Sequence, residues 1–327
     1  MPNDLTIKEA RRAIYTRSQL VDRDVASSEL RRANGLGALA RLQRDAYVAR
    51  APFTELLPSA QHRLRVVAAA EQMRGGAAIV SHLSAAVLHD LPLYRFVNEP
   101  IRVTLAGGRR ASSRPGLRRH RGRLDDEDVV EIDGILCTSV DRTVFDVART
   151  STFEAAVACA DGAVRREVVE GRAFDPVAQE AWRDRLAERA QRTPGARGIV
   201  RARRVIASAD GRAESVGESV SRVQFLRLGY AVEPQVPVAG PRGSTYFADL
   251  ALPDHRVFWE FDGAGKYTDP RIRGDKSADL VLLEEKRRED WIRATTGWKV
   301  CRGGFRDIGT PEALAARLAA FGVEPAH

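Results

Sequence analysis

Cysteine is scarce: Cys137, Cys159 and Cys301 are the only three in 327 residues, and they stand far apart. An odd number at such spacing fits neither a disulfide framework nor a zinc site, and no histidine clusters with them to complete one. That usage suits a reducing, cytoplasmic setting. No apolar run reaches the roughly 18–20 residues that a spanning helix needs. The opening MPNDLTIKEARRAIYTR has no apolar core, which predicts no secretory signal. Internal repeats and low-complexity tracts are also missing. What remains, 44% hydrophobic and 29% charged, is the composition of an ordinary folded protein with room for two or three domains.

Charge is the first positive signal. Lys and Arg number 52 against 44 acids, a net charge of +8. A basic surplus favours a polyanionic partner, because each phosphate neutralised releases counterions. A GC-rich genome that writes arginine often gives the same sum. Distribution says more: Gly107–Arg123 carries Arg109, Arg110, Arg114, Arg118, Arg119, Arg121 and Arg123 with no acid among them. The run lies between strand patterns, so an exposed loop or hairpin is expected.

Residues from about 14 to 50 read as two short helices and a hairpin. Thr16 or Ser18 caps the first, through Leu20, and Ser27 or Ser28 opens ELRRA, which presents Arg31 and Arg32 together. Ala38, Ala40 and Leu42 then alternate with Leu39, Arg41 and Gln43, and Ala46–Arg50 returns. Leu39 falls on the otherwise polar side. This is the plan of a winged helix-turn-helix, with the second helix in the major groove and Arg41 on the wing near phosphates. A small helical cap with a basic face is the alternative.

Helices are expected over 60–75 and from Ser81 to His89, strands at Ile101–Leu105, Val129–Ile132 and Ile135–Thr138, and a helix from Asp141. His82 and His89 are read as packing or capping residues. Phe153–Arg166, Pro176–Gln191 and Ile199–Ala209 are further helices, with Thr193-Pro194-Gly195 as a hinge.

The last third alternates between elements: a helix over Glu218–Leu228, strands at Ala231–Val238, Tyr246–Leu252 and Arg256–Asp262, a charged helix over 280–295, a strand at Trp298–Arg302 and a helix over Pro311–Phe321. Asp249 stands in FADLAL, and Glu260 and Asp262 in FWEFDG. Only Pro253-Asp254-His255 links these strands, so a hairpin turning at Asp254 and His255 puts Asp249 opposite Glu260. Asp262, two residues on, falls on the same face. Carboxylates that close repel unless a proton or cation intervenes, and oxygen ligands of this kind suit Mg²⁺ or Mn²⁺. Such an ion activates water and stabilises a phosphodiester under attack.

GES-S-R (Gly217–Arg222), FADL, FWEFDG-GKY, EKRRED and GWKVCR together resemble the very-short-patch-repair-like branch of the PD-(D/E)XK endonucleases, over about residues 213–308. The resemblance implies Asp249 and Glu260 as metal ligands, Glu218 as an accessory acid and Arg302 facing the site. Asp262 replaces the usual second lysine, so Lys286 or Lys266 is expected to orient the water. A helix-surface pair with Asp290 is the other reading of Lys286.

TRSQL…ELRR…LARLQRDAYVAR, SHLSAAVLHDLPL and TSVDRTVFDVAR resemble AbiEi-family antitoxins, over about residues 10–165. Asp45-Ala46 and Asp90 depart from that pattern, where Arg-Gly and Gly are usual. The family implies DNA binding, autoregulation and a partner toxin encoded nearby.

The expected architecture is therefore a multidomain α+β chain: a winged helix-turn-helix at 1–52, an α/β middle region at 53–170, a helical connector at 171–212 and a restriction-endonuclease-like α/β/α domain at 213–327. Two functions follow. One is a DNA-binding, Mg²⁺-dependent endonuclease. The other is a non-catalytic antitoxin-like regulator.

Overall fold

A computed structural model of the chain describes residues 5–23, 25, 28, 37–73, 78–97, 99–105, 113–263 and 278–323. The protein is α+β, with helices set against mixed sheets, and no helix among the described residues is long and apolar enough to cross a membrane. The chain divides into two units, Met1–Thr152 with Leu186–Arg204, and Phe153–Arg185 with Val205–His327.

The first unit opens with a helix not among the expected elements, α1 (Ile7–Ala13). Its start is a capping box: Thr6 Oγ1 accepts from Glu9 N, and Thr6 N donates to a Glu9 carboxylate oxygen at 2.8 Å. Thr16 and Gln19 repeat the device at α2 (Arg17–Val21). The hairpin follows as β1 (Leu39–Gln43) and β2 (Ala46–Ala49), antiparallel, with Asp45 at a φ of 57° in its turn. The Asp45 carboxylate accepts from Arg17 N at 2.9 Å, so the turn also caps α2. Leu39, which broke the expected alternation, is buried against Leu20 and Tyr47 in a small cluster of its own. The ELRRA helix with Arg31 and Arg32 lies outside the described residues.

Next come α3 (Arg50–Glu55), α4 (Pro58–Met73), β3 (Ala78–Val80), α5 (His82–Leu88), β4 (Ile101–Leu105), β5 (Leu117–Arg121), β6 (Val129–Ile132), β7 (Ile135–Thr138) and α6 (Val140–Thr150). The five strands form one mixed sheet in the order β5-β4-β3-β7-β6. The second half of the arginine run is thus no loop: it is β5, parallel to β4, with Arg102 beside Arg118 and Thr104 beside His120. Three residues of apolar chain were too few to announce β3. Asp90 sits at a φ of 54°, a conformation glycine favours and aspartate tolerates, and its carboxylate accepts from Arg63. One core holds α1, the hairpin, α4 and one face of the sheet through residues such as Leu64, Val67, Ile101, Val103 and Cys137.

In the second unit, α7 (Phe153–Val168) is followed by a short hairpin, β8 (Val169–Glu170) and β9 (Ala173–Phe174). Helices α8 (Pro176–Gln191) and α9 (Ile199–Ser208) then contribute residues to both units, so Thr193-Pro194-Gly195 does not part them. Helix α7 was expected in the middle region, yet it packs with the C-terminal elements. These are α10 (Val216–Arg227), β10 (Glu233–Ala239), β11 (Thr245–Leu252), β12 (Val257–Phe261), α11 (Ala278–Thr296), β13 (Lys299–Gly303) and α12 (Pro311–Ala320). The sheet runs β10-β11-β12-β13, antiparallel except for the parallel last pair.

Period-two alternation splits the sheet between two helices. Trp259 faces α10, where its indole donates to Ser221 Oγ at 3.1 Å and meets the Phe225 ring edge-on. Phe258 and Val300 face α11 and pack with Ile292. Gly217 is required by the close approach of α10 to β12: a Cβ there would lie 2.1 Å from the Phe261 ring. Gly217→Ala should therefore cost about 1–3 kcal/mol by overpacking. A urea titration followed by tryptophan fluorescence reads this directly, because Trp182, Trp259, Trp291 and Trp298 all belong to this unit.

Candidate active site

The β11–β12 hairpin has the expected register. Leu252 pairs with Val257, Ala251 with Phe258 and Leu250 with Trp259, where the ladder ends; the same register carried one residue further would set Asp249 opposite Glu260. Parallel pairing places Arg302 of β13 beside Glu260 on the other side. Glu218 enters from the first turn of α10, whose cap is Ser215. Its carboxylate accepts from Glu214 N at 2.9 Å, from Ser215 Oγ at 2.8 Å and from Gln235 Nε2 at 2.9 Å. Gln235 has a φ of 53°, a left-handed kink between the pairs Pro234–Leu250 and Val236–Ala248. Strain of this kind is held only where its surroundings over-determine it.

Far from being a solvated hairpin face, the acids are withdrawn from water. Glu218 and Glu260 are buried and Asp249 is half-buried. Burial, then the charge of Asp249, pushes both the Glu218 and the Glu260 carboxyl up to about 7. Asp249 accepts from Phe261 N at 2.8 Å, which fixes its carboxylate against the second strand. Three carboxyls therefore form one electrostatic unit, which is the like-charge arrangement that shares protons near neutrality.

Two cations flank it. Arg288 of α11 donates to Glu260 from Nη1 at 3.1 Å and from Nη2 at 3.3 Å, and also to the Phe247 carbonyl. Arg302 pairs with Glu289 at 2.8 Å and lies 3.8 Å from Glu285. Lys286, expected to orient water, is instead exposed and makes no hydrogen bond or ion pair among the described residues, with Asp290 included. Helix geometry explains the exchange. Arg288 is four residues before the buried Ile292 and shares its stripe, whereas Lys286, six before, points away. That spacing was legible in the sequence. Gln235 carried no such signal.

Asp262 is also set apart. β12 ends at Phe261, and Asp262 donates its backbone N–H to Gly303 O at 2.9 Å, while its carboxylate makes no hydrogen bond among the described residues. Lys266 lies outside the described residues, as do Arg109 and Arg110. Of the other residues expected at DNA, Arg41 is exposed on β1, with Nε donating to Gln43 O at 3.1 Å. Arg118 is exposed and Arg119 half-buried on β5.

No group of three or more His, Cys, Asp or Glu side chains among the described residues is arranged to hold a metal ion. Glu218, Asp249 and Glu260 offer oxygen donors only, the donor type that hard divalent cations take.

No protein-family profile matches the chain. It is similar to two uncharacterized proteins of Mycobacterium tuberculosis, MT2308 of strain CDC 1551 / Oshkosh and Rv2248 of strain ATCC 25618 / H37Rv, at 29% identity over 191 residues in each case. The match covers 58% of this chain and 62% of the length of each relative. Among solved structures, the RV2827C protein of Mycobacterium tuberculosis aligns at 14% identity and a TM-score of 0.33, over 61% of this chain and 78% of that one.

Proposed function

We propose that the C-terminal unit is a metal-dependent DNA endonuclease of the PD-(D/E)XK type, carried on a chain whose N-terminal winged helix holds DNA. The observation that carries this reading is the set of three carboxyls, Glu218, Asp249 and Glu260, brought from a helix and two strands into one partly dehydrated site. Burial and the charge of Asp249 raise the Glu218 and Glu260 carboxyls in the metal-free site, so a cation entering it would displace protons as well as offset charge. Asp249 and Glu260 would hold Mg²⁺ or Mn²⁺, which when bound supplies an activated water and charge stabilisation. Glu218, whose carboxylate accepts from three donors, would take or return a proton. Arg288 and Arg302 bring positive charge beside the acids, where a phosphodiester's own charge has to be balanced.

Full chain incubated with Mg²⁺ or Mn²⁺ and plasmid, linear or mismatched DNA should nick or cut it. Asp249→Asn should lower the rate on the order of 100-fold, the scale of losing a ligand to the ion that activates water. Wild type and variant equally inert over these substrates would remove the enzyme reading.

A second reading is favoured by Arg288, which already supplies Glu260 with an internal cation. On this reading the chain is an antitoxin-like regulator, its nuclease-type fold serves contacts only, and it acts with a toxin encoded nearby. It predicts binding upstream of its own gene that weakens with salt and with Arg31→Ala plus Arg32→Ala.

A further inference from the structure

The first unit contains a second polar site that none of the foregoing uses. One face of its sheet enters the apolar core through Ile101, Val103 and Leu117. The opposite face carries Arg102, Thr104, Arg118 and His120, and of these Arg102 and Thr104 are buried. Together with α5, α6 and the segment leading into α9, this face walls a cavity of about 340 Å³.

The lining holds seven arginines and one carboxylate, Asp146, so the cavity is built for negative charge. Two of the arginines are neutralised within the fold: Arg102 by Glu99 at 2.8 Å, and Arg142 by Asp146 at 3.0 Å and Asp128 at 2.8 Å. The other five, Arg118, Arg121, Arg149, Arg197 and Arg201, make no salt bridge among the described residues, although the charge of Arg149 also acts on Asp146. Backbone carbonyls aim two of them: Arg149 Nε donates to Arg197 O at 3.1 Å, and Arg201 Nε to Ala148 O at 3.2 Å.

The base of the cavity is specific. The rings of His82 and His120 stack at 3.7 Å, and His120 Nε2 is buried without a hydrogen-bond partner, as is Arg102 Nε. His82 is held at a φ of 56°, where a residue other than glycine is strained. Its Nδ1 is 2.9 Å from Ser81 Oγ, which in turn accepts from Thr104 Oγ1 at 2.9 Å. Gly122 leaves the space that the Arg142 guanidinium uses, since a Cβ there would be 3.2 Å from it. Unsatisfied buried nitrogens, strain and arginines without salt bridges in one cavity are the marks of a missing ligand.

We propose that this cavity binds a small ligand bearing a diphosphate group. A single phosphate engages two or three guanidinium groups, whereas five unpaired arginines around a cavity of this size suit two linked phosphates. A duplex backbone reaches the exposed Arg118, Arg121 and Arg197 but not the buried His82, Thr104 and Arg102. The site therefore reassigns Arg118 from DNA to a small molecule. It does not depend on the nuclease reading, because the two sites share no residue.

The test is calorimetric titration of the full chain with inorganic pyrophosphate at physiological salt, repeated with ADP. Arg118→Ser with Arg197→Ser removes two exposed, unpaired rim charges and should weaken pyrophosphate at least tenfold, with an unchanged circular dichroism spectrum. Arg203→Ser, an exposed arginine outside the cavity, should leave it unaffected. Tighter binding of ADP than pyrophosphate identifies a nucleotide as the source of the diphosphate. Equal affinities identify the bare polyphosphate, and either result supports the site. Equal losses in both variants would mean a general charge effect and overturn the proposal. So would absence of binding of both pyrophosphate and ADP to the wild type, and a loss of DNA affinity in the double variant would then make the cavity a nucleic-acid contact.

Discussion

Arg222→Met should destabilise the second unit by about 3–5 kcal/mol, the cost of leaving a buried charge without its partner. Arg222 Nη2 donates to both oxygens of Asp161, at 3.0 and 2.9 Å, and the two residues are 5% and 1% exposed. Asp161 also accepts from Asp210 N at 2.8 Å, so one carboxylate ties α7, α10 and the chain after α9 together. Burial holds the Asp161 carboxyl above its usual range, and Arg222 is the largest influence pulling it back. Removing the arginine raises that pKa further. A carboxyl whose folded pKa exceeds its unfolded one contributes stability at low pH and loses it as pH rises through the folded value. The defect should therefore be larger at pH 8 than at pH 5, as measured by urea unfolding with tryptophan fluorescence. Asp161→Asn combined with Arg222→Met keeps an acceptor for Asp210 N without the stranded charge, and should recover most of the loss. A double variant no better than Arg222→Met alone would show that packing, not charge, sets the cost.

Mild acid should weaken the first unit through its buried histidines. Burial, then Arg65, lowers the His62 imidazole to about 4, and burial, then Arg102, lowers His82 to about 3. An unfolded histidine titrates near 6.5. Folded pKa values this far below the unfolded one mean that stability is full above about pH 6.5 and is lost as pH falls toward 4. At pH 5.5 each of the two costs about 1.4 kcal/mol relative to neutral pH, about 3 kcal/mol together. Hydrogen exchange read by mass spectrometry is the suitable measurement, because the first unit has no tryptophan. His62→Gln should be less stable at pH 7.5, losing the 2.8 Å contact of His62 Nε2 with Ser84 Oγ. Between pH 7.5 and 5.5 it should nevertheless lose about 1.4 kcal/mol less than the wild type. Parallel pH profiles for the two proteins would refute this assignment. Glu218 and Glu260 act in the opposite sense in the second unit, where stability from their raised values is present below about pH 4.5 and lost as pH rises through 7.

The sequence made the hairpin and its acids legible because strand alternation and a short turn leave one register. Arg288 was legible from its four-residue spacing to Ile292, whereas the lysine-bearing motif that this stretch resembles points to Lys286. The arginine run misled for a different reason. Arg118 and Arg121 are exposed, yet tertiary pairing with β4 makes this stretch a strand and turns one side of it over a cavity. Such pairing joins residues far apart in the chain and leaves no local pattern. The link between α7 and the last third was hidden likewise: Arg222 belongs to a motif beginning at Gly217, yet its partner is Asp161 on α7, some sixty residues earlier.

Because the chain enters the second unit at Phe153, returns to the first at Leu186 and leaves it again after Arg204, neither unit is a continuous stretch of polypeptide. During synthesis the first unit lacks Arg197 and Arg201, and with them part of the arginine cavity, until residue 204 has cleared the ribosome. Asp161 waits longer still, for Arg222. Completion of both units on the ribosome is thereby postponed to the last third of translation, and no single protease cut can release either half intact.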